Sequence, residues 1–201
     1  MLKLVRIIFV CFTVLGIMTP PNNAEVKTSN TYQIDTTRSF LEFNVKHLTI
    51  SSITGGFTDF QGVIEFNQND LNTFLAQVNI KANSIDTRNK KRDDYLKSTE
   101  LLDVNKFPEI IFQSKKLTQQ NNNSYIMAGD LTIHGVTKKV WIPVVVNGPV
   151  NSSKNMQSIG IEGEITISRK DFEMNFDKTL DSGEAIIGDD INIFINIEAW
   201  K

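Results

Sequence analysis

Eight segments of the chain alternate apolar and polar residues with a period of two, and turn-forming segments separate most of them. Successive side chains of a β-strand point to opposite faces, so each segment predicts a strand with one apolar and one solvated face. Antiparallel sheets have this pattern, whereas parallel strands that are buried on both faces read as continuous apolar runs. The predicted strands are Ser39–His47, Phe57–Phe66, Phe74–Ala82, Glu109–Lys115, Tyr125–Ile133, Val140–Val146, Ile159–Arg169 and Ile191–Ala199.

The number of strands favours an all-β fold in which the sheet closes into an eight-stranded antiparallel barrel. The interior of such a barrel is either filled by side chains or holds one small ligand. Small residues on the apolar parity, such as Gly62, Gly129 and Gly163, favour free space inside. The alternative is a two-sheet sandwich with a solid core, in which these glycines mark bends.

One segment between the third and fourth strands does not alternate. Residues 87–98 read TRNKKRDDYLKS and predict one short helix with Thr87 as its N-cap. Adjacent Asp93 and Asp94 do not face one another on a helix, so a catalytic pair is not expected there. We expect Arg92 and one of these aspartates to hold the helix on the barrel. A second irregular segment, Asp171–Glu184, joins the last two strands.

The N-terminus predicts export. Residues 1–24 combine a basic start, an apolar run from Ile7 to Met18 and the helix breakers Pro20 and Pro21, which is typical of a secretory signal peptide. The alternative is an uncleaved anchor, but the run is shorter than the ~20 residues that span a bilayer. We therefore predict one domain over residues 25–201, periplasmic or secreted after cleavage.

Composition and motifs narrow the function classes. The chain has 23 acidic and 21 basic residues without a block of like charge, so nucleic acid is not an expected partner. Its two histidines, His47 and His134, lie far apart and form no HxH, HxxxH or HExxH spacing, which predicts no metal site. The single cysteine, Cys11, lies in the predicted signal peptide, and no GxSxG motif or phosphate-binding loop is present. We predict no catalytic residue and no required cofactor.

Six segments together resemble one known family. They read HLTISSITGGFTDFQGVIEF, SIDTRNKKRDDYLKS, FPEIIFQS, GDLTIHGVTKKV, ISRKDFEMNF and IGDDINIFINIEA, and in this order they are similar to the YceI-like family from about Tyr32 to the C-terminus. The resemblance implies an eight-stranded antiparallel lipocalin-like barrel, usually exported to the periplasm, with an elongated apolar pocket for a long-chain isoprenoid. This chain departs from the family pattern at Glu173, where glycine is common, and at Leu101 and Leu102, where an aromatic residue is common.

The expected function is therefore an exported carrier that binds an isoprenoid, an isoprenoid quinone or a fatty-chain lipid inside the barrel. His47 or Arg169, each at the end of an inward-facing strand parity, is expected near the polar head of the ligand, although an ion pair with a loop acid is an equal possibility for Arg169. His134 is expected in a turn. The predicted ligand-binding residues are Leu41, Phe43, Val45, His47, Phe60, Ile64, Phe66, Val78, Ile80, Ile110, Phe112, Met127, Leu131, Ile142, Val144, Ile165, Arg169, Ile193 and Ile195.

Two other function classes remain open from the sequence. A filled barrel would serve as a stress-response or interaction module, and a lipid-modifying enzyme would use His47 with a nearby acid. Two further partners are possible: a membrane, contacted transiently, and a second copy of the chain. The homodimer would form through outward-facing Phe40, Phe194 and Trp200.

Overall fold

The computed structural model describes residues 30–48, 50–151, 156–176, 180 and 186–201, so the predicted signal peptide lies outside the described residues. Within them, eleven strands form one antiparallel sheet. The strands are β1 (Thr31–Ile34), β2 (Phe40–His47), β3 (Ser51–Phe57), β4 (Phe60–Glu65), β5 (Leu75–Lys81), β6 (Ile85–Asp86), β7 (Glu109–Asn121), β8 (Ser124–Ile133), β9 (Val136–Asn151), β10 (Gln157–Ser168) and β11 (Ile187–Trp200). The one α-helix of these residues, α1, spans Lys90–Leu96, and short 3-10 helices span Leu71–Thr73, Ala82–Ser84 and Arg169–Phe172.

The sheet closes into an eight-stranded antiparallel barrel. Neighbouring strands follow the order β1-β4-β5-β7-β8-β9-β10-β11, and β11 also pairs with β1. The closing contact places Gln33 opposite Trp200 and Ile34 opposite Ala199. Closure leaves no long free edge in this circuit, as the alternation of apolar and polar residues predicts.

The remaining three strands, β2, β3 and β6, continue the circuit strands β1, β4 and β5. β2 lies on the same edge of β11 as β1, with Phe40 opposite Asn196. β3 pairs with β2, and β6 pairs with β3 through Gly56 and Phe57. The barrel therefore consists of eight strand positions, of which the first three are interrupted.

The interruptions correct two details of the strand prediction. The predicted strand Phe57–Phe66 is divided by Thr58 and Asp59 into the end of β3 and all of β4. Neither β1 nor most of β3 was predicted, because Thr31–Ile34 is too short to show a period and Gly55 and Gly56 interrupt the apolar alternation.

The predicted helix is present, but its N-cap is two residues later than expected. The Asn89 side chain, not that of Thr87, accepts a hydrogen bond from the backbone N–H of Arg92, at 3.1 Å. Thr87 is instead buried, and its hydroxyl is bonded to the helix side chains that follow. No helix of the described residues is long and apolar enough to cross a membrane.

The two ends of the barrel differ. At the closed end, which we define by Phe66, Phe74 and Tyr125, the rings pack edge to face with centroid distances of 6.4 Å and 6.5 Å. All three are buried. At the helix end, which we define by α1 and residues 169–176, the barrel is covered by chain segments that are not strands. The lumen is therefore plugged by aromatic side chains at one end and covered by a helix and a loop at the other.

Candidate functional site

The barrel encloses an apolar cavity of about 330 Å³. This volume lies within the range of small-molecule sites, roughly 300–1,000 Å³. Strands from all sides of the barrel contribute to its wall, and α1 together with Met174, Phe176 and Ile186 contributes to its cover. The lining residues are Ile34, Leu41, Glu42, Phe43, Val45, Ile53, Phe57, Ile64, Ala76, Val78, Ile80, Ile85, Arg92, Tyr95, Leu96, Leu101, Leu102, Ile110, Phe112, Met127, Leu131, Ile133, Ile142, Ile161, Ile165, Ile167, Arg169, Met174, Phe176, Ile186, Ile187, Ile191, Ile193, Ile195 and Ile197.

The free space borders strands on more than one side of the barrel, because Val78 and Ile80 of β5 line the lumen and are only partly buried. Inward-facing Phe43, Ile165 and Ile193 are only partly buried, although they line the lumen. Met127 of β8 and Ile142 of β9, which also line the cavity, are buried, with 4% and 3% of their surfaces exposed. An inward-facing apolar side chain keeps accessible surface only where it borders a void, so parts of β2, β5, β10 and β11 face the open part of the lumen.

Most of the predicted ligand-binding residues line this cavity. The four that do not are His47, Phe60, Phe66 and Val144. Phe60, Phe66 and Val144 are buried in the packed part of the core, where other side chains cover them. His47 pairs with Ile187 at the end of β2, beyond the lining. Ligand contact at the remaining residues stays a prediction.

The interior glycines do not create the cavity. A Cβ at Gly129 would lie 2.6 Å from the Gln113 carbonyl and 2.7 Å from the Phe112 ring, and one at Gly163 would lie 2.9 Å from Val144. None of Gly62, Gly129 and Gly163 lines the cavity. The expectation that these residues leave space for a ligand is therefore wrong: they allow neighbouring chains to approach closely.

Arg169 is a buried cation that fastens the cover of the cavity. Its side chain is 4% exposed, and Nη2 lies 2.6 Å from a carboxylate oxygen of Asp189. Nη1 donates to the Met174 carbonyl at 2.7 Å, Nη2 to the Phe176 carbonyl at 2.9 Å, and Nε to the Gly188 carbonyl at 3.2 Å. Of the two roles expected for Arg169, these contacts show the ion pair, although its acid, Asp189, lies in β11 and not in a loop.

The turn after Arg169 contains Glu173, one of the departures from the family pattern, and its geometry explains why glycine is common there. Glu173 terminates the 3-10 helix Arg169–Phe172 with a φ of 57°, in the left-handed region. A residue with a side chain is strained there, whereas glycine is not. Leu101 and Leu102, the other departure, both line the cavity.

Arg92 and Asp93 converge on the buried Thr87. Asp93 accepts from the Thr87 backbone N–H at 2.9 Å and from its hydroxyl at 2.6 Å. Arg92 donates through Nε to the Thr87 hydroxyl oxygen and through Nη2 to the Thr87 carbonyl, each at 2.7 Å. These bonds hold the start of α1 against the chain that leaves β6, as the sequence predicts for Arg92 and one aspartate, while Asp94 pairs with Lys90.

Two aromatic rings meet above the cavity. Tyr95 of α1 and Phe176 pack edge to face with ring centroids 5.9 Å apart, and both line the cavity. The Tyr95 hydroxyl donates to the Glu100 carboxylate. This hydrogen bond raises the pKa of Tyr95 to about 12, because ionisation would remove the donated proton and place two negative charges together. The phenol is therefore neutral at physiological pH.

His134 has the turn role expected for it. Its φ of 51° is followed by a φ of 75° at Gly135, and Nδ1 lies 3.3 Å from the Phe172 carbonyl oxygen. The ring also packs on Phe107, with centroids 4.6 Å apart. Among the described residues, no cluster of three or more histidine, cysteine, aspartate or glutamate side chains is placed to hold a metal ion.

A second, open depression of about 790 Å³ lies on the outer face of the barrel. It contains exposed Phe40 and Phe194, together with Glu42, Glu162 and Glu164. The smaller cavity is the better candidate for a ligand site, because enclosure removes far more of an apolar ligand from water than an open, acidic surface does. Trp200 is also exposed, so the predicted dimer patch is accessible, and its use stays a prediction.

Comparisons with known proteins agree with this architecture. The profile described as YceI-like domain matches residues 32–199. Staphylococcus aureus strain N315 has a relative, a UPF0312 protein, that is 33% identical over 168 residues, covering 83% of this chain and 95% of the relative.

Solved structures show the same fold. The YCEI protein of Campylobacter jejuni has a TM-score of 0.66 at 32% identity, covering 78% of this chain and 89% of that one. BcnA of Burkholderia cenocepacia has a TM-score of 0.73 at 22% identity, covering 82% and 98%. A polyisoprenoid binding domain from Saccharophagus degradans has a TM-score of 0.66 at 16% identity, covering 86% and 98%. At such identities the last two show the fold alone, whereas the profile and the S. aureus relative show that this chain belongs to the YceI-like domain family.

Proposed function

We propose that this protein binds one amphiphilic lipid, an isoprenoid, isoprenoid quinone or fatty chain, inside the barrel and carries it outside the cytoplasm. The observation that carries the proposal is the enclosed cavity, whose lining side chains are all apolar except Glu42, Arg92, Tyr95 and Arg169. Family membership and the likeness to a protein described as a polyisoprenoid binding domain support it.

Burial of apolar surface supplies the binding energy. Transfer of apolar surface from water is worth about 25 cal/mol per Å², so each buried methylene group of a tail adds about 0.8 kcal/mol. The tail needs no directional contact, and one or two polar groups near the head are enough to orient it. A lumen with this lining therefore favours hydrocarbon chains over polar solutes of equal size.

The carrier role outside the cytoplasm depends on the predicted signal peptide, residues 1–24. Fractionation of cells that express the full chain, followed by mass spectrometry of the mature N-terminus, tests it. Cleavage near Ala24 supports export, and intact protein retained in the cytoplasm contradicts it.

A direct test of binding is extraction of the purified mature protein with organic solvent, followed by mass spectrometry. We expect a lipid with a long apolar chain at up to one molecule per protein. Delipidated protein should then bind a fluorescent fatty-chain probe with the same stoichiometry. Absence of extractable lipid together with absence of probe binding would reject the proposal.

We propose a binding role without catalysis. Within the described lining, Arg169 is committed to the loop and Asp189, and Tyr95 is bonded to Glu100. His47, the base that an enzyme was expected to use, is not among the lining residues. An unchanged lipid after prolonged incubation with the protein is the expected result.

A further inference from the structure

The two arginines that line the cavity differ in whether a carboxylate of the protein neutralises their charge. Arg169 makes four hydrogen bonds, to three backbone carbonyls and to Asp189, and the carboxylate neutralises it. A guanidinium group has five N–H donors, so nearly all of its hydrogen-bonding capacity is taken by the protein itself. Arg169 therefore has little left to offer a ligand.

Arg92 is held in place but not neutralised. Thr87 accepts its Nε and one Nη2 hydrogen, which uses two of the five donors and leaves three. Within the part of the chain that the structure describes, no carboxylate lies within 4.0 Å of this guanidinium. Its neighbour Asp93 is bonded to the Thr87 N–H and hydroxyl instead.

The position of Arg92 matches that of a head-group contact. It lies on α1, at the helix end of the barrel, and it lines the same cavity as Leu96 and Leu101. The other charged lining residue besides Arg169 is Glu42, whose side chain is exposed, so water and salt screen its charge. The helix end of the lumen therefore has one half-buried cation with free donors above an apolar wall.

We propose that Arg92 binds the oxyanion head of the amphiphile, a carboxylate or a phosphate, while the tail occupies the cavity. The inference rests on the proposed lipid-binding function and names the class of its ligand. The guanidinium fork matches both oxyanions, and a hydrogen bond between two charged groups is stronger than a neutral one. Thr87 fixes the orientation of the fork before the ligand arrives, which reduces the entropy lost on binding.

Affinity for three ligands with the same tail tests the inference. Dodecanoate and dodecyl phosphate below their micellar concentrations, and 1-dodecanol below its solubility limit, are titrated into delipidated protein by calorimetry. We expect at least one of the two anions to bind about tenfold more tightly than the alcohol. Equal affinity for all three overturns the inference while leaving the proposed function intact, whereas no binding of any of them rejects both.

Two variants locate the effect. Arg92→Gln should weaken binding of the preferred anion about tenfold and leave the affinity for 1-dodecanol unchanged. Lys91→Gln, which removes the same charge from the adjacent exposed position of α1, should change neither. Equal weakening of anion and alcohol by Arg92→Gln would show that Arg92 only maintains the fold, and this would overturn the inference. If Arg92→Gln does not fold, the comparison of the three ligands on the unaltered protein decides.

Discussion

Ile165 and Ile193 lie directly opposite each other in the ladder between β10 and β11, and both are only partly buried although both line the lumen. Phe43 continues the same row on β2, opposite Ile193. Cross-strand neighbours in a filled core would cover one another completely. This row is therefore the wall that a ligand tail would contact.

Filling the space in front of this row should abolish lipid binding without unfolding the barrel. We expect Ile193→Trp to reduce extractable lipid about tenfold, because the larger ring occupies the void, and to change the free energy of unfolding by less than about 1.5 kcal/mol. Mass spectrometry of the extract and urea unfolding measure the two effects. Phe194→Trp, the adjacent outward-facing position, is the control and should retain the lipid. An Ile193→Trp protein that keeps its full lipid content would place the ligand elsewhere.

Loss of Arg169 should destabilise the protein strongly. Arg169→Met removes four hydrogen bonds and leaves the carbonyls of Met174 and Phe176 without this donor. We expect a loss of about 3–5 kcal/mol in urea unfolding, as for other buried ion pairs that lose one partner. Lys170→Gln is the matched control, because Lys170 also pairs with Asp189 but is half exposed, and it should cost less than about 1 kcal/mol. Similar losses in both variants would contradict the role assigned to Arg169.

Stability should fall in acid partly through Asp189. The hydrogen bond from Lys170, together with the charge and hydrogen bond of Arg169, lowers the pKa of Asp189 below 3.8, although partial burial opposes this. A lowered folded-state pKa means that the stabilisation is complete above the ordinary value and is lost as the pH falls through the folded value. We expect the unfolding free energy to decrease below about pH 4. Asp189→Asn should remove part of this decrease, and Asp190→Asn should not. If the unfolding free energy of Asp189→Asn falls in acid as much as that of the unaltered protein, Asp189 does not contribute to the decrease.

Glycine at residue 173 should stabilise the fold. Because Glu173 has a φ of 57°, its substitution by glycine relieves steric strain of about 1 kcal/mol. The midpoint of urea unfolding measures the gain. Glu173→Ala removes the same charge but keeps Cβ, so it should give little or none of this gain. Equal stabilisation by alanine would assign the effect to charge instead of backbone strain.

The sequence predicts the barrel well because period-two alternation determines which face of each strand is buried. β5, β8 and β11 were predicted within a few residues of their observed ends. The short strands were missed for a physical reason: Thr31–Ile34 and Ile85–Asp86 form because longer neighbours position them, not because of their own pattern. The cap of α1 was missed because Thr87 and Asn89 both suit an N-cap, and only burial of Thr87 separates them.

The candidate site was harder to predict than the fold. Phe60 and Phe66 have the same parity and chemistry as Phe43, but Phe66 packs on Phe74 at the closed end, and Phe60, opposite Ile80, is buried in the core. Parity shows which side chains point inward and does not show where along the barrel the packing stops. The prediction that the glycines leave space for a ligand was wrong for a related reason: the sequence does not show that Phe112 fills the space beside Gly129.

The shortness of β6 leads us to expect one particular route for ligand exchange. Within the described residues, β6 pairs only with β3, whereas β7 pairs with β5 along Gln77–Lys81, so no backbone ladder joins β6 to β7. α1 and the chain that follows it occupy the interval. Separation here breaks few backbone hydrogen bonds, such as that from the Ala82 N–H to the Pro108 carbonyl at 2.9 Å, whereas separation anywhere else in the circuit breaks a row of them. We therefore expect a ligand to enter and leave beside α1, where displacement of one short helix leaves the ladders of the barrel intact.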